Sequence, residues 1–316
     1  AIVSRMGTPS QVDIILGIIC LFLVLEGTRR SVGNAMTILA LIMIGYAFLG
    51  PYLPGILKHR GYSLIRIASH QYLTTEGIFS TPMGAAANFI ILFVLFGNIL
   101  VMTGGGDFFL KISYSLTAWA KGGAGKTAVL ASGFFGMISG SAVANVVTTG
   151  NFTVPLMKKS GYESVTASSI LALASTGGQL APPVMGAAAF VMAEFLGVPY
   201  FDIVKAAAIP AVLYYLALIF MVHLEADKNS IKGIPRSELQ SVSSILKGGF
   251  EFIIPIVVLI FLLVLQWSPG RSVFVSMAII YLVSFLRKQN RISMKDILVV
   301  FERTARGSIT VSIACA

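Results

Sequence analysis

Four long stretches of this chain contain no Asp, Glu, Lys or Arg. They lie between Arg30 and Lys58, Glu76 and Asp107, Lys126 and Lys158, and Glu163 and Glu194. Two gaps of nineteen residues follow, between Lys205 and Glu225 and between Glu251 and Arg271. A helix needs about 20 mostly apolar residues to cross a bilayer. Repeated uncharged runs of that length predict an all-α polytopic membrane protein. A transmembrane β-barrel would show alternating segments of about ten residues instead. Composition agrees: of 316 residues, 56% are hydrophobic and 11% charged, against about 25% charged in soluble domains.

The net charge of +10 does not point to nucleic acid. Membrane proteins concentrate Lys and Arg in cytoplasmic loops. The basic residues here cluster in that way: Arg29-Arg30, Lys158-Lys159, then Lys228, Lys232, Arg236 and Lys247, then Arg287, Lys288, Arg291 and Lys295. Cys20 and Cys315 both lie in apolar runs, with no CxxC and no Cys/His cluster, so neither a disulfide framework nor a zinc site is expected. The chain starts at Ala1 and ends inside the apolar run Gly307 to Ala316, which is too short to span. The expectation is a piece of a longer polytopic chain.

Spans are expected at 12–25, 32–50, 84–103, 204–224, 249–267 and 270–286, with a last helix starting near Lys295. Residues 56–81 mix Lys58, His59, Arg60, Arg66, His70 and Glu76 with Ile, Leu and Tyr, and read as an interfacial amphipathic helix. Simple alternation of spans would put this basic segment outside, against the positive-inside trend. Residues 107–121 also look interfacial, with Trp119 at headgroup level. No fixed-period repeat is visible.

Two uncharged stretches differ from ordinary spans. Residues 127–157 carry Gly133, Gly136, Gly140 and Gly150 with Ser132, Ser139, Ser141, Asn145, Thr148, Thr149 and Asn151. Residues 164–193 carry Ser168, Ser169, Ser175 and Thr176, then Gly177-Gly178-Gln179 and Pro182-Pro183. Small residues allow close helix packing. Non-helical backbone at membrane depth is tolerated only inside protein or beside a water-filled cavity. At Ser139-Gly140-Ser141, glycine lets the chain turn while hydroxyls offer hard oxygen ligands without net charge, a chemistry suited to a weakly held Na⁺. At Ser175–Gln179 and Pro182-Pro183, prolines remove backbone donors and block helix continuation. Carbonyls freed at such a break can bind Na⁺, and the start of the second half-helix can face an anion. Packing through small residues is the competing reading for each stretch alone.

Other chemistries are poorly supported. Residues 120–127 read AKGGAGKT and end like a phosphate-binding loop, but Ala120 stands where Gly is wanted and an uncharged membrane segment follows. Nucleotide is therefore not expected. His59, His70 and His223 have no carboxylate or Cys at motif spacing, and neither HExxH nor GxSxG occurs. Glu194 follows an uncharged run, where an ionisable group is costly, but Gly197, Pro199 and Tyr200 place it near an interface. An intramembrane enzyme using Glu194 or His223 is the rival from another class, and a purely structural membrane subunit is a third reading.

The segments SGFFGMISGSAVANVVTTGNFTVPLMKKSGY (132–162) and ASTGGQLAPPVMGAAAFVMAEFLGVPY (174–200) resemble the large membrane subunit of TRAP transporters, the tripartite ATP-independent systems served by a periplasmic binding protein. EGTRRSVG (26–33) and YLTTEGIFSTPMGAAANF (72–89) resemble the fused-permease branch, in which small and large membrane subunits share one chain and a TAXI-type binding protein delivers substrate. The resemblance implies an elevator-type transporter with inverted repeats, each holding a re-entrant hairpin and a broken helix. The first repeat would be present and the second missing. It implies three parts: 1–75 as the end of the fused small-subunit and connecting helices, 76–225 as the first repeat, and 226–316 as a loop with the first helices of the second repeat. Residues 127–157 would be the hairpin, and 164–198 the broken helix.

By the same resemblance, hairpin tip and break would form a Na⁺ site from Ser139, Gly140, Ser141, Asn145, Thr176, Gly177 and Gly178. Ser141, Asn145, Gln179, Pro182 and Pro183 would face substrate. The implied activity is Na⁺-coupled import of a small organic acid across a bacterial or archaeal cytoplasmic membrane, with no cofactor beyond the coupling ion. The partners would be the binding protein, the organic acid and membrane lipid. H⁺ coupling, or an uncoupled facilitator or channel, is the alternative within the class.

Overall fold

The computed structural model describes residues 8–285 and 293–316, with the backbone alone at Met294 and Lys295. The basic residues Arg287, Lys288 and Arg291 and the Lys295 side chain lie outside that description. Among the described residues every regular element is helical. Four helical stretches are long and apolar enough to cross a membrane: Gln11–Ser31, Asn34–Tyr52, Thr81–Met102 and Tyr200–Lys228. A further pair, Arg236–Lys247 and Phe250–Val264, passes the same test together but is bent by 58°. Large apolar side chains such as Ile209, Leu213, Leu216 and Phe220 face outward, as expected where lipid rather than water is the surrounding medium.

The chain divides into two compact units, Ala1–Asn88 with Ala305–Ala316, and Phe89–Thr304. The first holds α1 (Gln11–Ser31), α2 (Asn34–Leu49), α3 (Leu64–Leu73) and α4 (Thr81–Ala85). It also holds the end of α15 (Met294–Cys315). Ser10 opens α1 with a reciprocal capping box: its hydroxyl accepts from the Asp13 N–H at 3.3 Å, and its own N–H donates to the Asp13 carboxylate at 3.0 Å. The long amphipathic helix expected over 56–81 is much shorter. Pro54 and the left-handed Gly55 and Gly61 hold the chain irregular before α3. Ser63 then caps α3, and a turn closed by Ile78 N–H on the Gln71 carbonyl follows it. The span expected at 84–103 is continuous from Thr81 to Met102 but includes a π-helical stretch, Ala86–Ile90.

The second unit contains α5 (Ile91–Met102), α6 (Gly105–Thr117), α7 (Gly123–Ser139), α8 (Ala142–Lys159), α9 (Ser164–Gly177), α10 (Ala187–Leu196) and α11 (Tyr200–Lys228). They are followed by α12 (Val242–Lys247), α13 (Ile253–Val264) and α14 (Pro269–Ser284). Helix α7 is the central post, packed against α5, α6, α8, α9 and α11. Its glycines and alanines let neighbours approach closely: Ala128, Val129, Ala167, Ala174, Val222 and Ala226 share one buried cluster. Helix α6 is less peripheral than its sequence suggests, because Phe108, Phe109 and Ile112 are buried. Trp119, just beyond it, is half-exposed and carries the Arg236 guanidinium 4.1 Å above its ring.

The loop after α11 lies across the α6–α7 turn. Ile234 N–H donates to the Ala118 carbonyl at 2.9 Å, and Gly122 N–H to the Ile231 carbonyl at 3.2 Å. The phosphate-loop-like residues 120–127 thus divide between a tight turn ending at the left-handed Gly122 and the first residues of α7, with no strand before them. Lys121 pairs with Asp227 at 2.7 Å, and Lys126 Nζ stands 3.2 Å from His223 Nδ1.

Candidate functional site: a hairpin tip seated in a helix break

Helices α7 and α8 form a hairpin whose tip is two residues long. Gly140 adopts φ 61°, and its N–H closes on the Gly136 carbonyl at 3.0 Å. That left-handed conformation is the one glycine tolerates best. Ser141 is extended and caps α8, its hydroxyl accepting from the Ala144 N–H at 3.3 Å. Inside the hairpin, Asn145 is fully buried and donates through Nδ2 to the Ser132 carbonyl at 2.8 Å. Thr149 donates to the Asn145 carbonyl at 2.8 Å and stands 3.3 Å from the Ser132 hydroxyl. Ser132, Asn145 and Thr149 therefore sew the two arms together in an interior where unpaired polar atoms are expensive.

The second segment is interrupted where its prolines and glycines lie. Helix α9 ends at Gly177, a 3-10 turn covers Gly178–Leu180, and α10 begins only at Ala187. Between them the Gly186 N–H returns to the Gln179 carbonyl at 2.8 Å. Met185 has φ 57°, a region that non-glycine residues seldom occupy. Strain of this kind tends to be kept where it serves a site.

Tip and break meet. The Val184 N–H donates to the Met137 carbonyl at 3.3 Å. A Cβ on Gly140 would collide with the Met185 carbonyl oxygen. A Cβ on Gly178 would stand 2.7 Å from the Gly136 Cα and 2.9 Å from Asn145 Nδ2. On the other side of the tip, a Cβ on Gly97 of α5 would lie 3.0 Å from the Ile138 carbonyl. Ser139, Gly140, Ser141 and Asn145 are thus brought to one seam with Gly178 and the chain around Val184 and Met185.

Other candidates are placed differently. Thr176 donates its hydroxyl proton back to the Ala172 carbonyl at 2.8 Å, which leaves the hydroxyl only its lone pairs. Gly177 fits because a side chain there would strike the Tyr214 ring. Gln179 is exposed, Pro182 half-buried and Pro183 buried. Glu194 is exposed on α10, at the rim of a cavity of ≈ 240 Å³ that Phe190, Pro199 and Tyr200 also line.

Several residues that hold the break were not singled out from the sequence. The Tyr200 hydroxyl lies 2.6 Å from the Val184 carbonyl and 3.1 Å from that of Pro183. Its buried ring stacks on Phe190 at 4.4 Å. Tyr214 and Tyr215, on α11, donate to the Leu173 and Ala174 carbonyls near the end of α9, at 2.8 and 3.0 Å. Ser175, which the sequence did mark as part of the break, is wholly buried in the last turn of α9, and among the described residues its hydroxyl has no hydrogen-bond partner. For the tyrosines a signal was present: hydroxyl-bearing aromatics inside or beside an apolar run.

Among the described residues no group of three His, Cys, Asp or Glu could hold a metal. The seam offers hydroxyl, amide and carbonyl oxygens without formal charge. Such a set favours a hard monovalent cation held loosely over a tightly bound divalent or transition metal.

The sequence matches the family profile of the tripartite ATP-independent periplasmic transporters, DctM component, over residues 19–316. This chain belongs to the DctM family. A DctM protein is an integral membrane component of a transporter, not an enzyme. The chain is 28% identical to an uncharacterised Salmonella typhimurium protein, YgiK, over 66% of its own length and 48% of that protein. It is 26% identical to the C4-dicarboxylate TRAP transporter large permease protein DctM of Pseudomonas aeruginosa, over 54% of its length and 40% of the relative. It is 25% identical to the sialic acid TRAP transporter large permease protein SiaM of Vibrio cholerae, over 68% and 52%. The chain thus spans about half the length of the curated relatives it matches.

Proposed function

We propose that this chain is part of a secondary active transporter that imports a small organic anion, a carboxylate, together with Na⁺. An extracytoplasmic substrate-binding protein of the TAXI type would deliver the anion, and the setting would be the cytoplasmic membrane of a bacterium or archaeon. The fused-permease branch and an elevator movement built on inverted repeats belong to the same reading. In it, residues 1–75 end the small-subunit-like region, 76–225 form the first repeat, and 226–316 enter the second.

One observation carries the proposal: an uncharged, oxygen-rich hairpin tip lies against a broken helix in an otherwise apolar chain. Ser139 and Ser141 supply hydroxyls, and Asn145 fixes the hairpin arm behind them. Gly140, Thr176, Gly177 and Gly178 supply backbone oxygens. Gln179, Pro182 and Pro183 face the anion, with α10 presenting its N-terminal N–H groups behind Gly186. The buried, unpartnered Ser175 hydroxyl is a further oxygen suited to such a site. Two of the named relatives are assigned carboxylate-bearing substrates, a C4-dicarboxylate and sialic acid, which supports a carboxylate here.

The test is thermal melting of the purified protein in detergent, in NaCl against matched KCl and choline chloride. A ligand at 100 times its Kd stabilises by about 2.7 kcal/mol. The expected result is a saturable rise specific to Na⁺ that Ser141→Ala diminishes. Equal melting in all three salts would transfer the reading to H⁺ coupling or to an uncoupled facilitator.

A further inference from the structure

Within the first unit, α2 and α3 enclose a groove of ≈ 420 Å³ that takes no part in the hairpin and break. One wall is apolar and is formed by Met43, Ile44 and Ala47 of α2. The other carries Arg66 and His70 of α3, with Tyr62 at its edge. Arg66 and His70 are four residues apart and so share one face of α3. Ile67 lies beside them on the groove wall, while Ala68 is buried toward α1, where a Cβ on Gly17 would lie 2.7 Å from the Ala68 carbonyl.

The basic wall is held in place. The Tyr62 N–H donates to the Ala47 carbonyl at 2.9 Å, which pins the approach to α3 against the end of α2. The Arg66 guanidinium stacks over the Tyr62 ring at 5.2 Å, an arrangement that orients the planar fork. His70 Nε2 is 3.6 Å from the Glu76 carboxylate, so Arg66 is the fixed positive charge of the groove.

We infer that this groove binds an anionic phospholipid, with the phosphate on Arg66 and an acyl chain along α2. Guanidinium groups pair with phosphate through two parallel hydrogen bonds. The apolar wall belongs to Asn34–Tyr52, a stretch able to cross the membrane. Leu39, one turn before Met43, is exposed and continues the same apolar stripe of α2. A soluble anion would use Arg66 but gain nothing from that stripe. Leu64 and Ile65 are exposed at the start of α3, as in a helix lying at the headgroup boundary.

The experiment is lipid retention by native mass spectrometry on the purified protein. Phosphatidylglycerol is compared with phosphatidylcholine of identical acyl chains, with inorganic phosphate as a soluble competitor. A basic residue near an anionic lipid surface is worth about fivefold in binding. The expected result is phosphatidylglycerol retained about fivefold better than phosphatidylcholine. Arg66→Gln should remove the preference, and Arg66→Lys should keep part of it. Equal retention of the two lipids by the wild type, or an unchanged preference in Arg66→Gln, overturns the inference. Displacement by inorganic phosphate at equal concentration also overturns it, in favour of a soluble-anion site. If Arg66→Gln fails to fold, Met43→Trp decides: it fills the groove without changing charge, and unchanged retention there counts against the lipid.

Discussion

The Tyr200 hydroxyl lies 2.6 Å from the Val184 carbonyl oxygen, joining the start of α11 to the middle of the helix break sixteen residues earlier. The Pro183 carbonyl is 3.1 Å from the same hydroxyl. One phenol therefore serves two acceptors that no helix can satisfy. Tyr200→Phe keeps the ring and its stacking on Phe190 but deletes the hydroxyl that reaches them. A buried acceptor left without a donor costs about 1–3 kcal/mol. The expected outcome is a clear drop in melting temperature, read by circular dichroism in detergent, with helix content unchanged at low temperature. No drop would mean that water or another donor serves these carbonyls.

Gly140→Ala and Gly45→Ala should differ in sign. At Gly140 a methyl group meets the Met185 carbonyl and the backbone is left-handed, which alone costs a non-glycine residue about 1–2 kcal/mol. At Gly45, in the middle of α2, nothing lies within 4 Å of an added Cβ. Alanine there should be neutral or stabilising by about 0.5–1 kcal/mol. Parallel melting curves test this, and comparable losses at both sites would count against the close seating of the tip.

Asn145→Leu separates packing from polarity at the seam. The side chains are similar in volume, but leucine cannot donate to the Ser132 carbonyl now held at 2.8 Å. Destabilisation of about 1–3 kcal/mol is expected. If the seam holds Na⁺ as proposed, the variant should also lose the difference between NaCl and KCl. A variant that is less stable but keeps its full Na⁺ response would confine Asn145 to sewing the hairpin arms together.

Tyr162 gives a pH-dependent prediction outside the membrane-spanning segments. It sits in the turn between α8 and α9, and its hydroxyl donates to the Gly122 carbonyl at 3.2 Å. Burial, with the Glu225 carboxylate adding to it, pushes its ionisation up to about 12. Because the folded value lies above the ordinary tyrosine value of about 10, the stabilisation is complete below pH about 10 and is lost as pH rises toward 12. Melting temperature should therefore fall less steeply with pH over that window in Tyr162→Phe than in the wild type. Identical slopes would show that Tyr162 ionises as it does in the unfolded chain.

The hairpin and the break were legible because their local chemistry conflicts with a plain lipid-facing helix. Gly140 between two serines signals a turn, and Pro182-Pro183 after Gly177-Gly178 signals an interruption. These effects act within a few residues of their cause. The supports of the break were less legible because they come from a distance: Tyr214 and Tyr215 reach carbonyls 41 residues earlier in the chain. Nothing in the pattern of a span says which carbonyls its tyrosines will find. The segment 56–81 was overextended for a different reason. Its periodic mixture of basic and apolar residues continues through Gly61 and Gly77, whereas the helix is confined to Leu64–Leu73 by local backbone freedom and the Ser63 cap. Thr176 and Ser141 show a third limit. A hydroxyl in a polar segment also has local backbone partners that its spacing does not announce: one turns back onto its own helix and the other caps the next.

The meeting of Gly136 with Gly178 has a mechanical consequence. Two main chains touch there with no side chain between them, so no rotamer can swing aside to open a gap. Prying them apart would expose peptide groups on both sides at once. Hairpin and break are therefore joined as a single stiff part, in which neither main chain can shift without carrying the other.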